Sequence, residues 1–185
     1  CKDPKVAPHF HLPFQSGSDR ILSLMNRHYT RDKYLERAMK IRRELPDFSM
    51  TTDVICGFPG ETDEDFAMTL DVAKQVRFDM IFTFLYSPRP GTRAAEMEGQ
   101  IPHEEKVRRF NLLNELQNTI AAENNMSLIG TSQRVLCDSR LGTVCTGRNG
   151  QNKIVSFSSP DAVPGGMYDI KIESAGPYTL GGSVL

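Results

Sequence analysis

The sequence predicts an α/β chain with a parallel sheet, followed by a small five-stranded β-barrel of the oligonucleotide-binding type. Two observations predict this order. Strand-like and helix-like segments alternate up to residue 92, and five short β-like runs, separated by Gly, Pro and Asn, fill residues 131–185. A helix between two strands of one sheet is a crossover connection, which makes the strands parallel. Short, evenly spaced strands after a long helix are typical of a small closed barrel.

The first part reads as strand, helix, helix, strand, helix, strand. The predicted strands are 6–12, 48–58 and 79–86, and the predicted helices are 20–25, 30–45 and 62–76. Ser18 or Asp19 can cap the first helix and Thr30 the second, while Pro46 ends the second. Three strands are too few to close a barrel, so we expect the sheet to continue upstream of Cys1.

The second part begins with a long amphipathic helix from Pro102 to about residue 128, ended by Gly130. The five β-like runs that follow are 133–138, 143–148, 153–157, 167–173 and 178–184. Asn149-Gly150 between the second and third runs is a strong hairpin signal. We therefore divide the chain into residues 1–129 and residues 130–185.

Composition and charge exclude several classes of protein. The chain has 39% apolar and 24% charged residues, which excludes global disorder, and no apolar run reaches the length of a membrane span. Its 22 basic and 23 acidic residues nearly cancel, which argues against a whole-surface electrostatic grip on nucleic acid. With no export signal visible, we expect a cytoplasmic protein with reduced thiols and no membrane partner.

Polar side chains cluster where the predicted strands end. Gln15 and Ser16 follow the first strand, Asp53 lies within the second, and Arg89 follows the third. The carboxyl ends of parallel strands host active sites, where such groups could hold a ribose and a carboxylate. Alternatively, Gln15 and Ser16 are turn residues and Asp53 satisfies backbone groups. The residues alone leave both interpretations open.

Six segments carry a family resemblance. HLPFQSGS (11–18), MNRHYT (25–30), TDVICGFPGET (52–62) and YSPRPGT (86–92) resemble the radical-SAM methylthiotransferases, and TGRNGQNK (146–153) and IESAGPYTL (172–180) resemble their terminal TRAM domain. The resemblance is continuous and covers nearly the whole chain. It implies a partial (β/α) radical-SAM barrel in residues 1–129, followed by TRAM as the small five-stranded β-barrel in residues 130–185.

The resemblance also implies a reaction. Arg89-Pro90 stand where the branch that modifies a ribosomal protein tends to have acidic residues, so the chain resembles the tRNA-modifying branch. The implied activity is methylthiolation of isopentenyladenosine next to the tRNA anticodon, at carbon 2 of the base, with an unidentified sulfur donor. Three alternatives stay open: threonylcarbamoyladenosine as the substrate, a ribosomal protein as the substrate, or a module that only binds nucleic acid.

The implied cofactors are S-adenosylmethionine and two 4Fe–4S clusters. The family holds these clusters on a CxxxCxxC motif and on three further cysteines, and neither set is in this chain. Its four cysteines, Cys1, Cys56, Cys137 and Cys145, include no closely spaced pair. We therefore expect no metal ligand and no catalytic residue here, and we expect this chain alone to be inactive although the full-length protein is an enzyme.

The family motifs assign cofactor-binding roles position by position. Gln15, with Ser16 beside it, matches a residue that reaches the nucleoside end of S-adenosylmethionine. Arg27 matches a residue near the methionine carboxylate, and the alternative for it is a solvated helix end. Asp53 matches the acid that binds the ribose hydroxyls, and Gly57 matches the tight turn beside the adenine.

Four residues are candidate RNA contacts. Arg89 lies on a stiff loop that we expect to be a surface separate from the cofactor residues. Arg148, Asn152 and Lys153 surround the predicted hairpin, where contacts to phosphates or bases are plausible. The alternative for each of the four is an ordinary solvated side chain.

Overall fold

The computed structural model describes residues 5–185, which form two compact units. The α/β unit comprises residues 11–46 and 50–117. The barrel unit comprises residues 5–10, 47–49 and 118–185. The predicted fold class is confirmed, because a mixed α/β part with a parallel sheet precedes a closed five-stranded barrel.

The first part of the chain has the predicted alternation of strands and helices. Its elements are β1 (His9–His11), α1 (Asp19–Leu24), α2 (Arg31–Glu44), β2 (Ser49–Cys56), α3 (Asp63–Val76), β3 (Met80–Leu85), α4 (Arg93–Glu96) and α5 (His103–Met126). The sheet order is β1-β2-β3, and β2 and β3 are parallel. All three strands therefore end at the same edge of the sheet, as the crossover helices predicted.

The two faces of β2 have different surroundings. Because successive side chains of a strand point to opposite faces, Val54 and Cys56 enter the core while Asp53 and Ile55 lie on the other face. The register places Phe82 beside Asp53 on that second face. Phe82 is nearly half exposed, so the described residues leave this face of the sheet open around Phe82.

The core of the α/β unit lies between the other face of the sheet and the helices. Aromatic rings dominate it: the Phe14 ring stacks on Phe78 at 5.6 Å between centroids and contacts Tyr34 at 5.4 Å. The Tyr34 hydroxyl donates to the carbonyl of Leu12 at 2.6 Å, which satisfies its polar end. The buried members of this core are Phe14, Tyr34, Ala38, Met50, Val54, Cys56, Phe66, Val72, Ala73, Val76, Phe78, Ile81 and Leu113.

A buried carboxylate fastens the beginnings of two helices together. Asp65 is the third residue of α3 and forms a capping box with Thr62, accepting the Thr62 N–H at 2.9 Å. Its other oxygen accepts from the hydroxyl of Ser18, the N-cap of α1, at 2.5 Å. Arg20 also donates to Asp65. Asp65 therefore joins the N-caps of α1 and α3.

The second part of the chain forms the predicted barrel. Its strands are β4 (Ser132–Leu141), β5 (Val144–Asn149), β6 (Ile154–Ser158), β7 (Met167–Ala175) and β8 (Thr179–Val184). They close in the order β4-β5-β6-β8-β7, with β6 and β8 parallel and the other neighbours antiparallel. The buried interior contains Val135, Cys137, Cys145, Val155, Phe157, Ala162, Ile170, Ile172 and Leu180.

Closure of this small barrel depends on bulges and on glycine. The β4–β5 register shifts between Cys137 and Ser139, and bulges of this kind bend a strand around a barrel. At Gly147 an added Cβ would lie 2.1 Å from the carbonyl oxygen of Leu136, so no side chain fits where these strands meet.

The boundaries of some elements differ from the predicted ones. The first strand is three residues long rather than 6–12, because Pro8 and Pro13 lie on either side of it and proline cannot donate to a strand ladder. The short helix α4 was not predicted, since four residues carry no helical periodicity. In residues 5–185, no helix is both long and apolar enough to cross a membrane.

The acid sensitivity of the fold depends on Asp65. Burial alone would raise its pKa, but hydrogen bonds from Arg20, Ser18 and Thr62 outweigh burial and lower the pKa from 3.8 to about 2. Its stabilising contribution, about 2 kcal/mol, is therefore present above about pH 5 and is lost as the pH falls towards 2. We predict that Asp65→Asn destabilises the protein by about this amount at pH 7 and that the difference from wild type shrinks at low pH.

Urea unfolding at several pH values measures this difference. Asp32→Asn is the matched control, because Asp32 also lies in the first turn of a helix but has an exposed carboxylate. A difference between Asp65→Asn and wild type that stayed constant from pH 7 to pH 2.5 would contradict the assignment.

Candidate functional site

A cavity of about 480 Å³ lies at the edge where the strands of the α/β unit end. This volume lies within the range of small-molecule sites. The cavity has apolar and aromatic walls with a few polar groups, the usual composition of a ligand pocket. Its lining residues are Gln15, Asp53, Ile55, Phe84, Leu85, Tyr86, Ser87, Arg89, Thr92 and Ala94.

Gln15 is held at this cavity by its own backbone. Its N–H donates to the Asp53 carbonyl at 2.9 Å, and its carbonyl accepts the Ile55 N–H at 3.0 Å, so the chain continues alongside β2 beyond β1. The residue adopts a left-handed backbone with φ of 65°, which costs a non-glycine residue about 1–2 kcal/mol. No described residue hydrogen-bonds to its side-chain amide, which leaves that amide available to a ligand.

Asp53 presents a partly exposed carboxylate, with 27% of its side chain accessible. Its Oδ2 lies 3.4 Å from His11 Nε2, and the other ring nitrogen of His11 lies 2.9 Å from the hydroxyl oxygen of Thr51. In residues 5–185, no backbone N–H donates to the Asp53 carboxylate. The described contacts therefore differ from the alternative interpretation, in which the Asp53 carboxylate satisfies backbone groups.

Three of the five predicted cofactor residues, Ser16, Gly57 and Arg27, lie outside the lining of this cavity. Ser16 is buried, and its hydroxyl oxygen accepts the Ser18 N–H at 3.3 Å just before α1. Gly57 follows β2 with φ of +75°, and its N–H donates to the Glu61 carboxylate at 2.8 Å. Ser16 and Gly57 shape the segments beside the cavity, and their roles in cofactor binding stay predictions.

Arg27 lines a neighbouring cavity of about 450 Å³. The two cavities share Ile55 and Ala94, so they lie side by side. The Arg27 side chain is exposed and has no hydrogen-bond or ion-pair partner among the described residues. A guanidinium in this place can bind a carboxylate of a ligand that extends from one cavity into the next.

Arg89 lines the same cavity as Gln15 and Asp53. The sequence-based expectation of a separate surface for the Arg89 loop is therefore wrong. The loop turns back because the Arg89 carbonyl accepts both the N–H and the hydroxyl of Thr92, at 3.2 and 2.8 Å. This turn returns the stiff proline-containing segment to the strand ends, which its composition alone does not predict.

The walls of the cavity include residues that sequence reasoning did not single out. Tyr86 lies directly after β3, and its hydroxyl is buried without a hydrogen-bond partner among the described residues. Phe84 is a half-exposed ring on the same strand face. Strand alternation in β3 was the available signal, since it places Phe84 and Phe82 on the face of Asp53.

The described cysteines are buried and unpaired. Cys56 lies in the core of the α/β unit, and burial raises its pKa to about 12, so it remains a thiol. Cys137 and Cys145 lie inside the barrel. In residues 5–185, no three His, Cys, Asp or Glu side chains lie close enough together to hold a metal ion. Cys1 lies outside the described residues.

The candidate RNA contacts of the barrel unit divide into two groups. Arg148 and Asn152 contact each other, with Arg148 Nη1 3.1 Å from Asn152 Oδ1, and the Arg148 side chain is half exposed. Lys153 is engaged elsewhere, because its Nζ donates to Asn125 of α5 at 2.8 Å. Asn125 is buried and also donates to the Gly176 carbonyl. Lys153 thus has a buried partner, whereas Arg148 pairs with the exposed carboxylate of Asp138, with Nε 3.7 Å from Oδ2.

Comparison with known proteins identifies relatives of this chain. Residues 4–73 match the model of the Radical SAM superfamily. The chain is 47% identical over 182 residues to the tRNA-2-methylthio-N(6)-dimethylallyladenosine synthase of Aquifex aeolicus, covering 98% of this chain and 41% of the relative. The synthases of the same name from Acetivibrio thermocellus and Chromobacterium violaceum are 46% and 43% identical, covering 98% and 100% of this chain and 38% and 42% of the relatives.

The family resemblance indicated by the motifs is therefore confirmed along nearly the whole sequence. The chain spans about two fifths of the length of the curated relatives that it matches.

A pair of glycines tests how tightly the segment beside the cavity is packed. Gly57 and Gly91 both have positive φ, at +75° and +77°. An added Cβ at Gly57 would lie 2.4 Å from Lys106 Cγ, whereas Gly91 has open space. We predict that Gly91→Ala costs about 1 kcal/mol of backbone strain and that Gly57→Ala costs a further 1–3 kcal/mol. Urea unfolding of both variants measures the difference, and equal losses would show that Lys106 moves aside freely.

Proposed function

We propose that this chain, which resembles the tRNA-modifying branch of the radical-SAM methylthiotransferases, is part of an enzyme that methylthiolates a tRNA base. The observation that carries the proposal is the cavity at the strand ends, where Gln15, Asp53 and Arg89 converge in a chain related to such synthases. The substrate that the relatives' name indicates is dimethylallyladenosine in tRNA, also called isopentenyladenosine. The modified position would be carbon 2 of the base next to the anticodon.

The residues of the cavity fit S-adenosylmethionine. The ligand combines a ribose, a flat base and a charged amino acid, and the two adjoining cavities offer groups for each. The Asp53 carboxylate can accept hydrogen bonds from ribose hydroxyls, and the Gln15 amide has no protein partner that a ligand would have to displace. Arg27, in the adjoining cavity, can bind the methionine carboxylate. The unpartnered hydroxyl of Tyr86 adds a further polar group.

The reaction also needs parts that these residues do not supply. When bound, S-adenosylmethionine and a reduced 4Fe–4S cluster would together supply the radical chemistry of the family. We propose two such clusters in the full-length protein, with their ligands outside this chain. The role of this chain's residues is to bind and orient the nucleoside and methionine ends of the cofactor. Arg89 lines the same cavity, which supports a role for its guanidinium in contacting the target nucleoside.

We propose that residues 130–185 are the TRAM domain and that they contribute to tRNA binding, with residues 1–129 as the end of the radical-SAM barrel. The half-exposed Arg148 beside Asn152 supports this proposal, because its ion pair with Asp138 is long, at 3.7 Å, and solvent-exposed, so its guanidinium can also neutralise a phosphate. As an enzyme acting on tRNA, the full-length protein would work in the cytoplasm. Its sulfur donor is not indicated by any described residue.

The cofactor assignment predicts the effect of Asp53→Asn in the full-length protein. The substitution keeps the shape of the side chain but removes the charge that strengthens hydrogen bonds to the ribose. We predict a tenfold to hundredfold loss of S-adenosylmethionine affinity, since a decade corresponds to about 1.4 kcal/mol. Equilibrium dialysis and thermal unfolding are measured on the same samples.

Asp71→Asn is the matched control for this experiment. Asp71 also contacts a basic side chain, that of Arg31, but it does not line the cavity, so its substitution should leave cofactor affinity unchanged. If Asp53→Asn kept its affinity for S-adenosylmethionine but had a lowered melting temperature, the cofactor assignment would be wrong and the role of Asp53 would be structural.

The RNA-binding assignment makes different predictions for two neighbouring cations. Arg148→Gln in the full-length protein should lower tRNA affinity and flatten the dependence of log K on log salt by about one unit. Lys153→Gln should leave that slope unchanged and lower stability, because the Lys153 ammonium holds Asn125. Binding titrations across a salt series measure both slopes. Arg148 would be an ordinary surface residue if its variant had the wild-type slope.

A further inference from the structure

Two cations on the inward face of α5 are buried. Lys106 is 8% exposed and Arg109 is 4% exposed, and residues three apart share one face of a helix. Burying a charge is costly unless it is paired and hydrogen-bonded, and well-packed apolar side chains often stabilise a fold equally well. The contacts of these two side chains therefore indicate what the charges do.

Arg109 binds the turn that follows β2. Its Nη1 donates to the Glu61 carboxylate at 2.8 Å and to the Glu61 carbonyl at 3.0 Å, so it holds both the side chain and the backbone of that residue. The same carboxylate oxygen, Oε2, accepts the Gly57 N–H at 2.8 Å. Burial raises the pKa of Glu61, and the hydrogen bonds from Arg109 and Gly57 oppose that effect. Arg109 and Glu61 thus close the turn from Gly57 to Glu61.

Lys106 binds the end of the next strand. Its Nζ donates to the Tyr86 carbonyl at 3.1 Å and lies 5.2 Å from the centre of the Tyr86 ring. Its aliphatic stem packs against Gly57 so closely that a Cβ there would lie 2.4 Å from Cγ. One side chain therefore contacts the residues that follow β2 and β3.

These contacts converge on the rim of the candidate cofactor cavity. Tyr86 lines the cavity, and its N–H donates to the carbonyl of Cys56, the last residue of β2, at 2.9 Å. Phe58, inside the turn, lines the neighbouring cavity that contains Arg27, and its ring contacts Tyr86 edge-on at 5.2 Å. The turn and Tyr86 are thus in direct contact, and α5 holds both through hydrogen bonds to backbone carbonyls.

We propose that Arg109 and Lys106 are positioning residues for the cofactor: they set the places of the Gly57–Glu61 turn and of Tyr86, and so the shape of the cavity. The inference rests on the proposed function, because it takes S-adenosylmethionine as the ligand. Apolar side chains could fill the same space, but they would not fix the carbonyls of Glu61 and Tyr86 or, through the Glu61 carboxylate, the Gly57 N–H. Burying the two charges costs desolvation free energy, and the hydrogen bonds that they make fix the geometry of the cavity.

The experiment uses the full-length holoenzyme with Arg109→Met and Lys106→Met, two substitutions that keep length and remove charge. Arg108→Met is the matched control, because Arg108 is the adjacent residue and binds Glu105 and Asp63, as Arg109 does, but makes no bond to Glu61. Three quantities are measured: S-adenosylmethionine affinity by equilibrium dialysis, hydrogen exchange at the Gly57 amide, and the melting temperature.

We expect Arg109→Met and Lys106→Met to weaken S-adenosylmethionine binding at least tenfold per folded molecule. Gly57 exchange should accelerate in Arg109→Met, because the Glu61 carboxylate loses its anchor. Arg108→Met should keep wild-type affinity and wild-type exchange. Arg109→Lys keeps the charge but loses the guanidinium that bonds both the carboxylate and the carbonyl of Glu61, so it should give an intermediate affinity. This variant replaces Arg109→Met in the experiment if the Met variant does not fold.

Wild-type affinity in a folded Arg109→Met protein with accelerated Gly57 exchange would overturn the inference, because the pair would then be merely structural. Equal losses of affinity in Arg108→Met and Arg109→Met would also overturn it, since a general charge effect would explain both. A wild-type holoenzyme that does not bind S-adenosylmethionine would overturn the proposed function itself, which is a distinguishable result.

Discussion

The alternation of β2 between a core face and an open face determines where every other part of the α/β unit lies. Val54 and Cys56 anchor the strand in the aromatic core, and this burial fixes Asp53 and Ile55 on the opposite face. A shift of one residue in the pairing would bury the Asp53 carboxylate and expose Val54, at a cost that no described partner offsets. Because Val54 and Cys56 occupy the core face of β2, Asp53 and Ile55 are left on the opposite face, where they line the cavity.

The pairing of Gln15 with β2 extends this constraint beyond the first strand. The left-handed backbone of Gln15 is unfavourable by itself, and two backbone hydrogen bonds to the neighbours of Val54 hold it. Local strain of this kind persists where the surrounding structure determines the geometry. Here it places an amide without protein partners at the edge where the Asp53 carboxylate and the Arg89 loop also lie.

Buried carboxylates fix the connections of the α/β unit at two points. Asp65 joins the starts of α1 and α3, and Glu61 closes the turn after β2 with Arg109 as its counter-ion. Both acids lie within the segment that resembles the family motif or directly after it. Burying either charge costs free energy, but each carboxylate accepts a directional hydrogen bond from a backbone N–H, which apolar packing cannot supply.

The sequence by itself determined the order and type of the main elements, the cap at Thr30 and the five barrel strands, because these depend on periodicity and on residues a few positions apart. It narrowed the cap of α1 to Ser18 or Asp19, and the structure shows Ser18. The motifs also indicated the family. Only the tertiary structure decided which side chains share a site. Arg109 and Glu61 lie 48 positions apart, and Lys153 and Asn125 lie 28 positions apart. Contacts at such distances follow from strand register and side-chain direction, which no local pattern encodes.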